Sequence, residues 1–367
     1  MQKKIALTGG HFTPGLAVIE ELKKRDWEIT WIGINKAISG KEIKTLEAKT
    51  LPGLNIPFYE VSTFKFQRTD ILGSLFSSWK LGLGLYQSFV ILQKVRPSVL
   101  LSFGSFVAVP SSIAAWILGI PVVTHEQTTV SGLANRLISF IAEKVAISYP
   151  TSQEFFDPKK TIFTGNLLRV SLFKSAQKKL NKRSKIPVLF VTGGSRGSQV
   201  INEIISSNLK NLVEKFKIFH QTGETDYTKC VKIKNKLPKN LRSRYVVNNS
   251  LTPEDMEKMF VKADILVSRA GANTVSEIAL FGIPTIFIPI PWSSGNEQYK
   301  NALMLKNLRL AEIIEERDLN NKTFLKTLDY ILDNYSKYKR NTAKAKKLVS
   351  QDASKKLVDI LEEYAHI

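Results

Sequence analysis

Short apolar runs alternate with amphipathic stretches along the whole chain, and the alternation is played out twice. In the first half the strand-like runs are Lys4 to Thr8, Glu28 to Ile32, Ile56 to Val61, Val99 to Ser102, Val122 to His125 and Lys144 to Ile147. Between most of them, Gly15 to Lys24, Ile71 to Lys94 and Leu133 to Ala142 carry the 3.6-residue period of helices. The second half repeats the logic, with strands predicted at Val188 to Val191, Lys217 to His220, Tyr245 to Val247, Ile265 to Ser268, Thr285 to Ile288 and Ala311 to Ile314. Strand and helix in regular alternation predict α/β architecture, here two doubly wound, Rossmann-like parallel sheets.

Length agrees with two domains, because 367 residues exceed what one core usually supports. The basic, polar stretch Lys174 to Lys185 precedes the first strand of the second half. The expected division is therefore 1–160 and 161–345. Residues 346–367 form a last helix that can pack on either domain, with a return to the first as the expectation. The single Cys230 excludes an internal disulfide and agrees with a reducing compartment. The apolar start is too short for a signal peptide. The longest apolar region, Phe103 to Val123, is broken by Pro110, Gly119 and Pro121 and cannot be a regular spanning helix. A cytosolic chain without a transmembrane anchor is expected.

A formal charge of +21 calls for an anionic partner, whether nucleic acid, a lipid surface or a small anionic substrate. Charge alone does not choose among them. Neither paired Cys/His spacing nor an aromatic ribonucleoprotein-type strand is visible, so nucleic acid is not the expected partner.

Three turns carry glycine where a strand hands over to a helix: Thr8-Gly9-Gly10-His11, Thr192-Gly193-Gly194-Ser195-Arg196-Gly197, and Ala270-Gly271-Ala272. The third follows the strand at Ile265 and leads into Asn273, Thr274, Val275, Ser276 and Glu277, where a helix opens. Backbone N–H groups and the positive end of a helix dipole at such a turn suit the phosphates of a nucleotide. Thr274 and Glu277 also have the spacing of a capping box, with Thr274 as the cap. Glu277 thus has two readings, as a helix cap and as an acceptor for the hydroxyls of a ribose. Three such turns in two sheets suggest a ligand clasped in an inter-domain cleft.

In order along the chain, TGGHFTPGLAVIEEL, LGIPVVTHEQ, GLANR, TGNLLR, TGGSRGSQVINE, HQTGETD, ADILVSRAGANTVSEIALFGIP and EQYKNA closely resemble the MurG family of peptidoglycan N-acetylglucosaminyltransferases. The resemblance implies the GT-B fold. It implies inverting, metal-free transfer of N-acetylglucosamine from UDP-N-acetylglucosamine to the C4 hydroxyl of undecaprenyl-diphospho-N-acetylmuramoyl-pentapeptide, giving lipid II and UDP. No cofactor is implied, and the expected location is peripheral, on the cytoplasmic face of the cell membrane.

Carried over by position, the donor site would use Thr8, Gly9, Gly10, Thr128, Arg169, Ser195, the backbone near Leu251, Ala272 to Glu277, and Gln298. Arg169 and the N–H groups near Ser195 and Thr274 would hold the diphosphate and meet the charge on departing UDP. The Gln298 carboxamide would offer both donor and acceptor to sugar hydroxyls. No Asp-x-Asp pair for a metal-bound sugar nucleotide occurs in the chain. For the base that takes the acceptor proton, His11 is the first candidate, since an imidazole can accept a proton near neutral pH. Glu126 is the second, and His125 beside it reads as a hydrogen-bonded structural histidine. Some positions depart from the family pattern. The first loop keeps only Gly9 and Gly10 before His11, Thr128 stands for an asparagine, Arg196 for a glutamine, Glu297 for His or Gln, and Gly104-Ser105-Phe106 for Gly-Gly-Tyr. These departures fall more on acceptor recognition than on the donor.

A membrane surface is argued from the residues too. Ile71, Leu72, Leu75, Phe76, Trp79, Leu83 and Tyr86 recur at near-helical spacing, with Lys65, Arg68 and Lys80 close by. Aromatics beside cations suit an anionic headgroup layer, although one face of such a helix must pack on a sheet in any case. The alternatives are another glycolipid glycosyltransferase, or a UDP-sugar epimerase or hydrolase, of the same fold.

Overall fold

The computed structural model describes residues 3–35, 45–63, 79–179, 185–194 and 196–365, with Trp79 and Lys80 described for their backbone alone. The chain forms two compact units, residues 1–170 with 350–367, and residues 171–349. Ser195 and most of the proposed membrane segment, from Lys65 to Phe76, lie outside the described residues.

The first unit is built on seven parallel strands: β1 (Lys4–Thr8), β2 (Glu28–Gly33), β3 (Phe58–Glu60), β4 (Val99–Ser102), β5 (Val122–Glu126), β6 (Lys144–Ile147) and β7 (Thr161–Phe163), in the order β3-β2-β1-β4-β5-β6-β7. Six of these match predicted strands. β7 was not expected, because three residues, Thr161–Phe163, are too few to show a period. Its pairing with β6 keeps the chain in the first unit as far as Val170, beyond the boundary expected at residue 160.

The second unit carries six parallel strands, β8 (Val188–Thr192), β9 (Lys217–Gln221), β10 (Tyr245–Asn248), β11 (Ile265–Ser268), β12 (Thr285–Phe287) and β13 (Ala311–Ile313), ordered β10-β9-β8-β11-β12-β13. Both are doubly wound, and in each the strand order reverses once, between β1 and β4 and between β8 and β11. The carboxyl edge at such a reversal is where open α/β sheets bind ligands. All three glycine turns fall at these reversals: the first follows β1, the second β8 and the third β11.

Packing under the first turn is aromatic. Trp31 stacks on Phe103 with centroids 5.9 Å apart and meets the edge of Phe12 at 5.1 Å. All three are buried, and each contributes about 1.5–3 kcal/mol by leaving water. The final helix, Ala353–Tyr364, returns to the first unit and buries Leu357, Val358 and Leu361 with Ile5 and Leu22. Its outer face is tied down by Arg25, whose guanidinium reaches Asp359 at 2.7 Å and Glu362 at 2.8 Å.

Candidate active site

In the first unit the loop after β1 docks on the loop after β4. Gly9, with φ of 143°, leaves no room for a Cβ, which would stand 2.8 Å from the Cβ of Phe103. At Gly10 a Cβ would meet the Ser105 side chain at 2.7 Å, and the Gly10 N–H donates to the Gly104 carbonyl at 3.2 Å. Close approach of the two loops therefore demands both glycines. Thr8 is buried with its hydroxyl unpaired at the strand end. His11 follows as the N-cap of the helix Phe12–Lys24 but makes no side-chain cap bond, so its imidazole is left for other chemistry. Although His11 is exposed on its loop, the surrounding protein thins the hydration of the ring and lowers its pKa below 6.5, while the Glu126 carboxylate pulls the other way.

Glu126 ends β5 and is 2 % exposed. One carboxylate oxygen accepts from the Thr128 N–H at 3.0 Å and lies 2.8 Å from the Thr128 hydroxyl. The other accepts from the Gly132 N–H at 3.1 Å and from Asn135 Nδ2 at 2.9 Å. A buried carboxylate ringed by these donors is poorly placed to take a proton from a substrate, and it acts on His11 through its charge. Thr128, expected to touch the donor, is buried, and its hydroxyl also lies 2.6 Å from the Val130 carbonyl. Its single proton is committed to closing this loop.

Asn135 was missed, although it stands in the GLANR segment. It is 3 % exposed, donates to Glu126 and the His125 carbonyl, and accepts from Thr124 Oγ1 at 2.9 Å. Gly104, at φ of 68°, makes room for it, since a Cβ there would approach its carboxamide to 2.7 Å. An asparagine three places after a glycine at the start of an apolar helix was the only local signal. His125 is fully buried, with Nε2 3.3 Å from Ser148 Oγ, and burial pushes its pKa down to about 4. It is neutral at physiological pH and structural, as the sequence suggested.

In the second unit, Gly194 (φ 85°) and Gly197 (φ 75°) close a tight turn through a 2.9 Å bond from the Gly197 N–H to the Gly194 carbonyl. The turn leads into the helix Gln199–Ser207, which Ser198 caps. Gly197 lies against the Thr222 carbonyl and Gly223 against the Arg196 carbonyl, so the loops after β8 and β9 interlock through two glycines. That interlock is fixed from below. Asn202 Nδ2 donates to the Thr222 carbonyl at 2.9 Å, its Oδ1 faces His220 Nε2 at 2.9 Å, and His220 Nδ1 faces the Tyr245 hydroxyl at 2.8 Å. Burial holds His220 at a pKa of about 3, so the network contains a neutral imidazole donating from Nε2.

The helix after β11 runs Ala272–Phe281 with Gly271 as its N-cap. Thr274 is therefore inside the first turn, and the capping-box reading of Thr274 and Glu277 is corrected. Capped three residues earlier, the helix satisfies its first ladder bond from Val275 N–H to the Gly271 carbonyl at 3.0 Å without a Thr274 cap. Val275 and Ser276 are buried, and the Val275 N–H is taken by the helix ladder. Asn273, Thr274 and Glu277 are half-buried at the open edge, with Asn273 and Glu277 one turn apart on the same face. Gln298 opens the helix Glu297–Asn307, and its Oε1 already accepts from Ala270 N–H at 3.4 Å and Ile290 N–H at 3.1 Å. Only its amino group remains to offer, so the dual donor and acceptor role is narrowed to donation. Asn301, one turn on, donates to the Ala270 carbonyl at 3.2 Å and braces the same turn from behind. Leu251 is half-buried just after β10. Arg169 is 9 % exposed in the segment that closes the first unit. Thr8, Gly9, Gly10, His11, Glu126 and Thr128 thus gather at one sheet edge, and Leu251, Ala272 to Glu277 and Gln298 at the other.

The model of the glycosyltransferase family 28 N-terminal domain matches residues 8–147, and that of the family 28 C-terminal domain matches 188–357. The chain is 32% identical over 372 residues to the UDP-N-acetylglucosamine--N-acetylmuramyl-(pentapeptide) pyrophosphoryl-undecaprenol N-acetylglucosamine transferase of Clostridium botulinum (strain Loch Maree / Type A3), covering 99% of each chain. To the enzyme of the same name from Treponema denticola it is 36% identical over 333 residues, 88% of this chain and 85% of that one. The crystal structure of Acinetobacter baumannii MurG superposes with a TM-score of 0.71 at 25% identity, over 98% of this chain and 99% of that one. A UDP-GlcNAc 2-epimerase from Neisseria meningitidis shares the fold, with a TM-score of 0.65 at 14% identity over 99% of this chain and all of that one. By near full-length identity, the chain belongs to the MurG family of GT-B glycosyltransferases.

Proposed function

We propose that the protein transfers N-acetylglucosamine from UDP-N-acetylglucosamine to the C4 hydroxyl of undecaprenyl-diphospho-N-acetylmuramoyl-pentapeptide, forming lipid II and UDP with inversion. Family membership across 99% of the chain carries this reading, and the glycine turns at both strand-order reversals support it. The first unit receives the acceptor and the second binds the donor.

Neutral His11 takes the proton of the attacking hydroxyl as the oxygen bonds to the anomeric carbon and the bond to the diphosphate breaks. The imidazolium that forms is stabilised by the Glu126 carboxylate, which its own ring of donors keeps aimed. Backbone N–H groups of the second and third turns, with Arg169, meet the charge gathering on UDP. Glu277 accepts from the ribose hydroxyls and Gln298 donates to the sugar. Turnover assays with and without the lipid-linked acceptor, in EDTA, test the reading. UDP release that needs the acceptor and persists in EDTA is expected, whereas free sugar released without acceptor would instead identify a hydrolase.

A second apolar surface, which the sequence did not mark, supports membrane contact as well. Leu133, Leu137 and Phe140 form an i, i+4, i+7 stripe on the helix Leu133–Ile141, and all are exposed, Phe140 by 81%. Trp116 and Ile117 are exposed at the end of the adjacent helix Ser105–Ile117, and Lys144, Lys159 and Lys160 follow the stripe in sequence. Burying an apolar stripe while lysines meet anionic headgroups would seat the protein peripherally, on the cytoplasmic face. No described helix is long and apolar enough to cross a membrane. Leu137→Ala with Phe140→Ala is expected to cut co-sedimentation with anionic vesicles about tenfold or more, as roughly 0.8 kcal/mol per buried CH₂ predicts. Unchanged sedimentation would remove this surface from the reading.

A further inference from the structure

Trp292 is 75% exposed, the most exposed indole among the described residues, and it stands on the loop that joins β12 to Gln298. An indole left in water forgoes the largest apolar gain any side chain offers. The backbone that carries this one is nevertheless fixed. Pro289 and Pro291 flank Ile290 and restrict its backbone. The Ser293 N–H closes the turn over Trp292 by donating to the Ile290 carbonyl at 3.3 Å. Both ends of that turn are bonded to Gln298: the Ile290 N–H donates to its Oε1 at 3.1 Å, and its own N–H donates to Ser293 Oγ at 3.3 Å. Gly295 and Asn296 then turn the chain into the next helix with φ of 59° and 56°.

We propose that Trp292 is a stacking platform for the N-acetylhexosamine ring of the donor. The proposal rests on the UDP-sugar reading above and adds a residue that determines sugar affinity. One face of a pyranose presents C–H groups of slight positive charge, which pack against the negative π-face of an indole. A platform whose backbone is already ordered loses little entropy on binding. Its loop is bonded to the carboxamide that donates to the sugar hydroxyls, whereas Glu277, which serves the ribose, lies on the helix after β11. The sugar, rather than the nucleoside, is accordingly its partner.

Calorimetric titration of the full chain with UDP and with UDP-N-acetylglucosamine, for wild type, Trp292→Ala and Trp292→Phe, tests this. Trp292→Ala should weaken UDP-N-acetylglucosamine roughly fivefold and leave UDP unchanged, with Trp292→Phe between the two. Equal weakening of both ligands would make Trp292 a nucleotide contact and overturn the proposal. So would unchanged affinity for both, or a loss of vesicle binding with donor affinity intact. A wild type that binds neither ligand would overturn the UDP-sugar reading itself, and the platform with it.

Discussion

Replacing His11 with alanine is expected to lower kcat by about 10²–10⁴-fold, the usual worth of a positioned general base, while the affinity for UDP-N-acetylglucosamine stays near that of the wild type. The pH profile makes the assignment specific. A base must be unprotonated, and the His11 pKa is shifted below 6.5, so wild-type activity should be level at pH 7 and fall on acidification below 6.5. The residual activity of His11→Ala should lack that acid limb. Glu126→Gln separates the two candidates further. Removing the negative charge takes away the influence that raises the His11 pKa, so the limb should move to lower pH and kcat should drop. Complete loss of the limb in Glu126→Gln, with the limb retained in His11→Ala, would make Glu126 the base.

Gly197→Ala should be the most damaging single change in the donor unit. An alanine at φ of 75° pays about 1–2 kcal/mol for the left-handed backbone alone. Its Cβ would also be driven into the Thr222 carbonyl. That carbonyl cannot retreat, because Asn202 holds it through a chain of buried bonds to His220 and Tyr245. The loop after β8 must lift away from the sheet edge, carrying its N–H groups out of reach of the diphosphate. UDP affinity should fall at least tenfold, with a lower melting temperature. Gly194→Ala is the matched control, since φ is 85° there but no atom stands within 4 Å of an added Cβ. It should pay the backbone cost without the collision and retain more of its UDP affinity. Equal losses in the two variants would show that the interlock with Thr222 plays no part.

Local signals were legible wherever a segment's structure depends on its own residues. The run Ile265–Ser268 followed by Ala270-Gly271-Ala272 announces a strand, a turn and a helix. Glu126 was legible as a candidate, but its role was not. The donors that surround it come from Thr128, Gly132 and Asn135, and only the folded loop aims all three at one carboxylate. Gln298 was legible as a candidate, but what it has left to offer was not, because the Ala270 and Ile290 N–H groups occupy its carbonyl. The helix start at Ala272 was misplaced because a Thr-x-x-Glu spacing is as compatible with a helix interior as with a cap.

By itself, the sequence determined the alternation of strands and helices, the three glycine turns and the membership of a glycosyltransferase family. Each is carried by spacings of two to four residues or by a string of short motifs, and so survives without a fold. Tertiary structure alone decided the strand order that sets every glycine turn at a reversal point. It also decided the return of the Ala353–Tyr364 helix to the first unit and the exposure of Phe140 and Trp292. Strand order and burial are settled by pairings between residues far apart in the chain, and no local period records them.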